Sequence, residues 1–310
     1  MNRVEICLAA EGKEKAFLPL EGGGRLPVWT VQGAADGPTL ALTAGVHGGE
    51  YVGILALRRL FAEADPRKLQ GRLVLLPLVN RDGFYAGAKG VVPEDGKNLN
   101  RVFPAAPGGT QAEQLAWAIQ EQLYPEADFL LDLHGGDVNE AMTPLVFFPS
   151  TAAPAVAERS REAAAHLEVG FRIPSTAKDG LYSCAAHRGI PALLMEVGGL
   201  GRWSEAEVEG ELRSLRSLMG FLGMGGEPRR NREQREPREM AYEEASASGL
   251  WFPRVQPGQP VRRGQVLGQL EDLDGRLLQT VAARWDGTVL YHTVSLGVAA
   301  GDALVAYGSC

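Results

Sequence analysis

Three cysteines, Cys7, Cys184 and Cys310, are too few and too widely spaced for a disulfide framework or a thiolate metal site. They read as free thiols in a reducing cytosol. Long apolar runs are missing as well. Nothing approaches the roughly 18 residues of a membrane span, and the start Met1-Asn2-Arg3-Val4-Glu5-Ile6 has no apolar signal core. The expectation is a cytoplasmic protein with no membrane partner. Positive charge is short: 31 Lys and Arg stand against 38 Asp and Glu, a net charge of −7. No basic face is offered to a phosphate backbone, which excludes nucleic acid. An acidic ligand would have to be held by local arginines.

What is present is an ordinary globular composition, 45% apolar and 22% charged, in a chain long enough for one large domain and a small one. The stretch Leu40-Ala41-Leu42-Thr43-Ala44-Gly45-Val46-His47-Gly48-Gly49-Glu50 reads as a buried strand followed by a glycine-rich turn. A helix carrying Ile54, Leu55, Leu57, Leu60 and Phe61 comes next. Ligands in open α/β sheets collect at the carboxyl ends of strands, where His47 and Glu50 fall. Zinc takes such N and O donors at about 2.0–2.2 Å and, when catalytic, has three protein ligands and one open position.

Further strands are expected at residues 71–80, 128–134, 144–148 and 192–197, and helices at 111–123, 152–167 and 205–222. Two or three short strands precede them at residues 3–29, with a turn at Gly22-Gly23-Gly24. Residues 81–109 read as one long loop, and loops of that length are usually functional or disordered. Alternating strands and helices make an α/β fold, a mixed central sheet flanked by helices. Composition changes at Gly223. Residues 225–241 form a charged, almost apolar-free linker between a domain at 1–224 and a small all-β domain at 242–310. In the latter, residues 255–258, 266–268, 285–290 and 296–302 read as short β segments punctuated by glycine.

His134 ends its strand 84 positions after Glu50, again before two glycines. It is the third candidate ligand. Asp132, on the same strand face, is either an acceptor orienting that imidazole or a buried or capping acid. Glu196 ends an otherwise apolar strand, where desolvation would lift a carboxyl toward the range useful for proton transfer. His166, His187 and His292 lie on a helix, in a polar loop and in the β domain, and read as structural. Asn100 and Arg101 put an amide beside a guanidinium, a planar two-point donor suited to a carboxylate.

Taken together, His47-Gly48-Gly49-Glu50, Asn100-Arg101, Asp132-Leu133-His134 and Glu196-Val197-Gly198 resemble, in order and spacing, the zinc carboxypeptidase clan. The nearest branch is the succinylglutamate desuccinylase/aspartoacylase family. That resemblance implies one Zn2+ held by His47, Glu50 and His134, with Glu196 as general base. It implies Asn100 and Arg101 gripping a carboxylate on a small N-acylated substrate, and Tyr182 as a further contact. The family has a second arginine that polarises the scissile carbonyl. Here Lys89 stands nearest to that place, with Arg81 as the alternative. Residues 255–265 and 286–289 resemble the biotinyl/lipoyl-type barrel-sandwich fold, whose carriers bear their cofactor on lysine. No lysine occurs between Arg229 and Cys310. A swinging arm is excluded, leaving a module that shapes the active-site mouth or mediates homo-oligomerisation.

The implied activity is metal-assisted deacylation of an N-acyl amino acid. Its alternatives are a metallocarboxypeptidase, a metal-binding module without turnover, and a nucleophilic hydrolase. No Gly-x-Ser-x-Gly elbow occurs, and Cys184 has only His187 near it in sequence.

Overall fold

The computed structural model describes residues 12–309. The expected segment before residue 12, Cys7 and Cys310 lie outside the described residues. Among the described residues nine strands precede residue 200: β1 (Gly12–Pro19), β2 (Arg25–Gln32), β3 (Ala35–Ala44), β4 (Gln70–Leu76), β5 (Phe129–His134), β6 (Glu140–Met142), β7 (Leu145–Pro149), β8 (Phe171–Ser175) and β9 (Ala192–Glu196). All but β6 form one eight-stranded sheet, ordered β1-β2-β4-β3-β5-β9-β7-β8. Its centre, β4-β3-β5-β9, is parallel, while β1, β2 and β7 introduce antiparallel pairings. The expected mixed sheet is the one observed.

The central strands are apolar on both faces because helices cover both. One face packs Ala41, Val74, Leu130 and Leu194 beneath α3 (Gln111–Ala118) and α5 (Leu181–His187). The other packs Leu42, Leu131, Leu133 and Met195 beneath α1 (Val52–Glu63), α4 (Pro154–Ala164) and α6 (Glu205–Phe221). Each leucine buried there contributes roughly 1.5–3 kcal/mol. Val52, Ala56, Leu57 and Leu60 give α1 its apolar stripe at helical spacing, and Val208, Leu212 and Leu215 answer it from α6. No described helix is long and apolar enough to cross a membrane.

Three segments differ from expectation. Residues 81–109 are not featureless: α2 (Arg81–Ala86) is capped by the Asn80 side chain, and Leu99–Arg101 form a 3-10 turn capped by Asn98. Both elements are too short for hydrophobic periodicity to register, and their capping side chains define them instead. The β8 strand and α5 fall in a stretch left unassigned by sequence for the same reason. Residues 255–258, read as a β segment, form the turn after a strand.

After the charged segment come β10 (Met240–Glu244), β11 (Gly249–Pro253), β12 (Pro260–Val261), β13 (Val266–Glu271), β14 (Leu277–Ala282), β15 (Gly287–Thr293), β16 (Gly297–Val298) and β17 (Ala303–Gly308). They form two antiparallel sheets, β10-β17-β15-β12 and β14-β13-β11-β16, around Trp251, Leu267, Val289, Leu304 and Tyr307. Gly268 makes room for Trp251, since a Cβ there would fall 2.2 Å from the indole. Residues 225–241 are tied down. The Arg235 backbone bonds Gly170 and Arg172, Asn231 donates to the carbonyls of Leu167 and Val169, and Glu236 pairs with Arg161 and Arg172. The polar side chains that mark a linker in sequence serve here to satisfy the edge of β8. The strand β15, still paired with β17 along one side, also pairs antiparallel with β6, Tyr291 opposite Met142 and Thr293 opposite Glu140.

Candidate metal centre and active site

The parallel register sets Thr43 beside Asp132, Ala44 beside Leu133, and His134 beside Glu196. Three strand ends therefore open at one level. Beyond β3 the chain turns through Gly45, at φ 66°, into His47-Gly48-Gly49-Glu50. A Cβ on Gly48 would fall 2.3 Å from the backbone of Gly83, and one on Gly135 would fall 2.5 Å from the carbonyl of Val197. The glycines that follow each histidine are there for close backbone approach.

Glu50 stands between the two imidazoles. Its Oε1 lies 2.7 Å from His47 Nδ1 and its Oε2 2.9 Å from His134 Nδ1. The ring centroids are 5.0 Å apart at 73°. One donor atom from each of His47, Glu50 and His134 falls within 4.8 Å of the others. The outer ring nitrogens are committed. His134 Nε2 lies 3.0 Å from Asp132 Oδ2, whose other oxygen accepts the Thr43 hydroxyl at 2.6 Å. His47 Nε2 lies 3.1 Å from Asn98 Oδ1. With N–H on each Nε2, each Nδ1 lone pair faces a carboxylate oxygen, and only a cation resolves that meeting: a second proton on each ring, or a metal ion. Among the described residues this buried Glu50 Oε2 has no well-formed hydrogen bond, although His134 Nδ1 lies 2.9 Å away. That is the arrangement of donors aimed at a common point.

The electrostatics follow. Burial opposes charge on His47 and His134, but the carboxylates beside them win and raise both imidazoles, His134 strongly through Asp132 and Glu50. Burial opposes the charge of Glu50 too, and the two histidines hold it down at about 2. Glu196 is the opposite case. Burial raises its carboxyl well above the usual range, His134 opposes this, and Glu50, Glu140 and Asp132 add to the rise. Among the described residues its buried Oε2 has no hydrogen-bond partner.

These groups line a cavity of about 450 Å³. Asn100, Arg101, Lys89 and Tyr182 line it too, whereas Arg81 is not among its lining residues and lies over the Tyr85 ring on α2. Asn100 is buried, and its Oδ1 accepts the Leu181 N–H at 2.8 Å, which leaves its NH2 group for the cavity. Arg101 is exposed; it donates to the Asn100 carbonyl at 2.9 Å and lies 4.0 Å from Asp179. Cys184 is buried outside the cavity lining, its thiol pushed up by burial, the wrong direction for a nucleophile. His166 stacks on Phe221, His187 is exposed at the end of α5, and His292 is buried against the Thr293 carbonyl.

Four lining residues escaped sequence reasoning. Asn98, two positions before Asn100, gives its side-chain oxygen to both His47 and the Asn100 N–H. Its place as cap of a short turn after a Gly-rich loop was the available signal. Asp137 and Glu140 follow His134, and burial together with the charge of Glu50 raises both carboxyls, Glu140 to about 7. Tyr291 comes from β15, delivered by the β6 pairing, and nothing local marks it.

A family model for the succinylglutamate desuccinylase/aspartoacylase catalytic domain matches residues 36–222. The N-alpha-acetyl-L-2,4-diaminobutyric acid deacetylase of Halomonas elongata is 38% identical over 139 residues, a stretch that covers 42% of this chain and 40% of that protein. The chain thus matches less than half the length of that relative. Among solved structures, the product-bound ectoine utilization protein EutE (DoeB) of Ruegeria pomeroyi superposes with a TM-score of 0.87 at 26% identity, over 98% of both chains. The succinylglutamate desuccinylase/aspartoacylase of Rhodobacter sphaeroides does so with a TM-score of 0.86 at 29% identity, over 98% of this chain and 97% of the other. On the extent of that domain match, the chain belongs to the succinylglutamate desuccinylase/aspartoacylase family.

Proposed function

We propose that this protein is a zinc-dependent amide hydrolase that deacylates an N-acyl amino acid. The observation that carries the reading is the convergence of His47 Nδ1, Glu50 and His134 Nδ1 beside Glu196, whose buried Oε2 has no hydrogen-bond partner among the described residues. The donor set fits Zn2+, two imidazoles whose outer N–H groups are oriented by acceptors and one carboxylate. Zinc bound there supplies Lewis-acid polarisation of the amide carbonyl and activation of water.

The chain's own residues do the rest. Glu196, with a carboxyl held above the ordinary range, accepts the proton of the attacking water and delivers it to the leaving amine nitrogen. Arg101 and the Asn100 amide hold the substrate carboxylate. Lys89 is the cavity cation available to the developing oxyanion, as a point charge rather than a fork. Tyr291 and Tyr182 narrow the space, and about 450 Å³ suits a small acyl amino acid better than a peptide chain. The Halomonas relative, an N-acetyl amino acid deacetylase by name, supports the same class. Metal content measured alongside product release from N-acetyl amino acids, N-succinyl amino acids and dipeptides tests this. About one zinc per chain and acyl release support it. Preferential dipeptide cleavage favours the carboxypeptidase alternative, and turnover that survives a strong chelator overturns the metal-dependent reading.

A further inference from the structure

A second cleft, of about 630 Å³, shares no lining residue with the active cavity. Its walls are the loop between α4 and β8, the C-terminal half of α6, and the charged segment that leads into the C-terminal module. The backbone there is already satisfied. Arg229 N–H donates to Ser217 Oγ at 2.8 Å, and the Asn231 amide closes the carbonyls of Leu167 and Val169. Side-chain charge is what the cleft offers a ligand.

That charge is lopsided. Arg213, Arg229, Arg230 and Arg235 line the cleft against Glu168 and Glu233. Arg213 is taken up by Glu168. Glu236, the next acid along the segment, turns away to Arg161 and Arg172. Among the described residues the guanidiniums of Arg229, Arg230 and Arg235 pair with no carboxylate, and all three side chains are exposed to an incoming ligand. Arg235 is held in place over the Phe171 ring, 5.9 Å from its centroid. Three guanidiniums and the Glu233 carboxylate leave an excess of two positive charges, in a chain whose net charge is −7. Like charges so placed repel one another until an anion joins them. The His166 imidazole on the same wall registers this field: burial lowers its pKa first, and Arg230 pushes it down further.

The guanidinium is a planar fork that gives two parallel hydrogen bonds to a phosphate or carboxylate. A cleft of this size takes a small molecule. The carboxylates of Glu168 and Glu233 on its walls oppose an extended phosphate backbone. We propose that this cleft is a binding site for a small dianion, a phosphate monoester or a dicarboxylate, held by Arg229, Arg230 and Arg235. It lies apart from the amide-cleaving cavity and does not depend on the chemistry there.

Calorimetry on the zinc-loaded protein tests this, titrating glycerol 3-phosphate and glutarate separately against sodium chloride of matched ionic strength. At least one is expected to bind with a Kd at or below about 1 mM, and the one that does identifies the oxyanion. The double variant Arg229→Gln, Arg230→Gln should bind it about tenfold or more weakly. Glu233→Gln, which removes the opposing carboxylate, should tighten binding several-fold. A matched double variant, Arg25→Gln with Arg276→Gln, removes the same charge from exposed arginines outside the cleft and should bind as wild type does. Melting temperatures without ligand check that each variant folds. The rise in melting temperature on adding the anion gives a second readout, lost only with Arg229 and Arg230. Binding of neither anion, equal weakening in the two double variants, or no tightening in Glu233→Gln overturns the proposal. So does binding that the Arg229 and Arg230 substitutions leave unchanged, which would place the anion elsewhere, beside Arg101 for example.

Discussion

Asp132 holds His134 from behind, Oδ2 to Nε2 at 3.0 Å, and is itself fully buried and held by Thr43. The pair fixes both the tautomer of the ring and the direction of its Nδ1. Outer-shell acceptors of this kind are worth about 10–100-fold in metal affinity or activity. Asp132→Asn is therefore expected to lower zinc affinity by about that factor, measured by competition with a chromophoric chelator. Thr43→Val, which removes only the hydroxyl, should cost less. Equal affinities for wild type and Asp132→Asn would show that the ring needs no such support.

Glu196 is the proposed proton carrier. Glu196→Gln is expected to lower kcat by about 10²–10⁴-fold with the zinc content unchanged. Because burial and the surrounding acids raise its pKa, the acid limb of kcat/KM should lie above the ordinary carboxylate value of 4.5. Full activity in the Gln variant would assign the base elsewhere.

Metal removal has a pH signature. Without the ion, His47 and His134 have raised folded-state pKa values. The stability they contribute is complete below their unfolded value of 6.5 and is lost as pH rises through the folded values. The metal-free protein should thus melt at progressively lower temperature above that pH. Zinc at 100 times its dissociation constant adds about 2.7 kcal/mol. At one fixed zinc concentration, protons compete with the ion for His47 and His134 more strongly at pH 6, so the rise in melting temperature on adding zinc should be larger at pH 8 than at pH 6, read by differential scanning fluorimetry.

Glu211 lies on α6, buried against Gly53 of α1, and among the described residues neither of its oxygens has a hydrogen-bond partner. Burial, and secondarily Glu207, raise its carboxyl well above 4.5. An acid with a raised folded-state pKa binds its proton more tightly folded than unfolded, so stability falls as pH rises from 4.5 toward the folded value. Glu211→Gln removes that dependence. The variant should gain roughly 1–3 kcal/mol relative to wild type at pH 8 and little or nothing at pH 5, by urea unfolding at both. A gain independent of pH would mean that Glu211 is not protonated in the fold.

Tyr291 brings the C-terminal module into the cavity. Tyr291→Phe is expected to raise KM several-fold with a smaller change in kcat, the pattern of a group that contacts substrate without taking part in proton transfer. Steady-state kinetics on the best acetylated substrate decide this. Unchanged KM would reduce the residue to a wall.

How much could be read beforehand depended on whether a residue's role was local. The strand ends of β3, β5 and β9 were legible because their apolar runs stop at His47, His134 and Glu196, and a polar residue at such a place is conspicuous. Helix α5 and strand β8 were not, since both are short and carry mixed residues without a clear period. Arg81 and Lys89 looked interchangeable in sequence. The fold separates them: Arg81 opens α2 and turns onto Tyr85, whereas Lys89 lies past the helix, where the chain returns to the cavity.

By itself the sequence determined the α/β scaffold, the three prospective ligands with their neighbouring acid, and the all-β character of the C-terminal part, because alternation, glycine turns and buried polar residues act over a few positions. Only the tertiary structure decided that Asn98 supports His47, that Glu140 and Asp137 make the cavity acidic, and that β15 carries Tyr291 into it. Those relationships join residues far apart in the chain, 51 positions for His47 and Asn98 and far more for the β15 pairing with β6. Pairing of that range is set by the packing of the whole sheet, which no short window of residues contains.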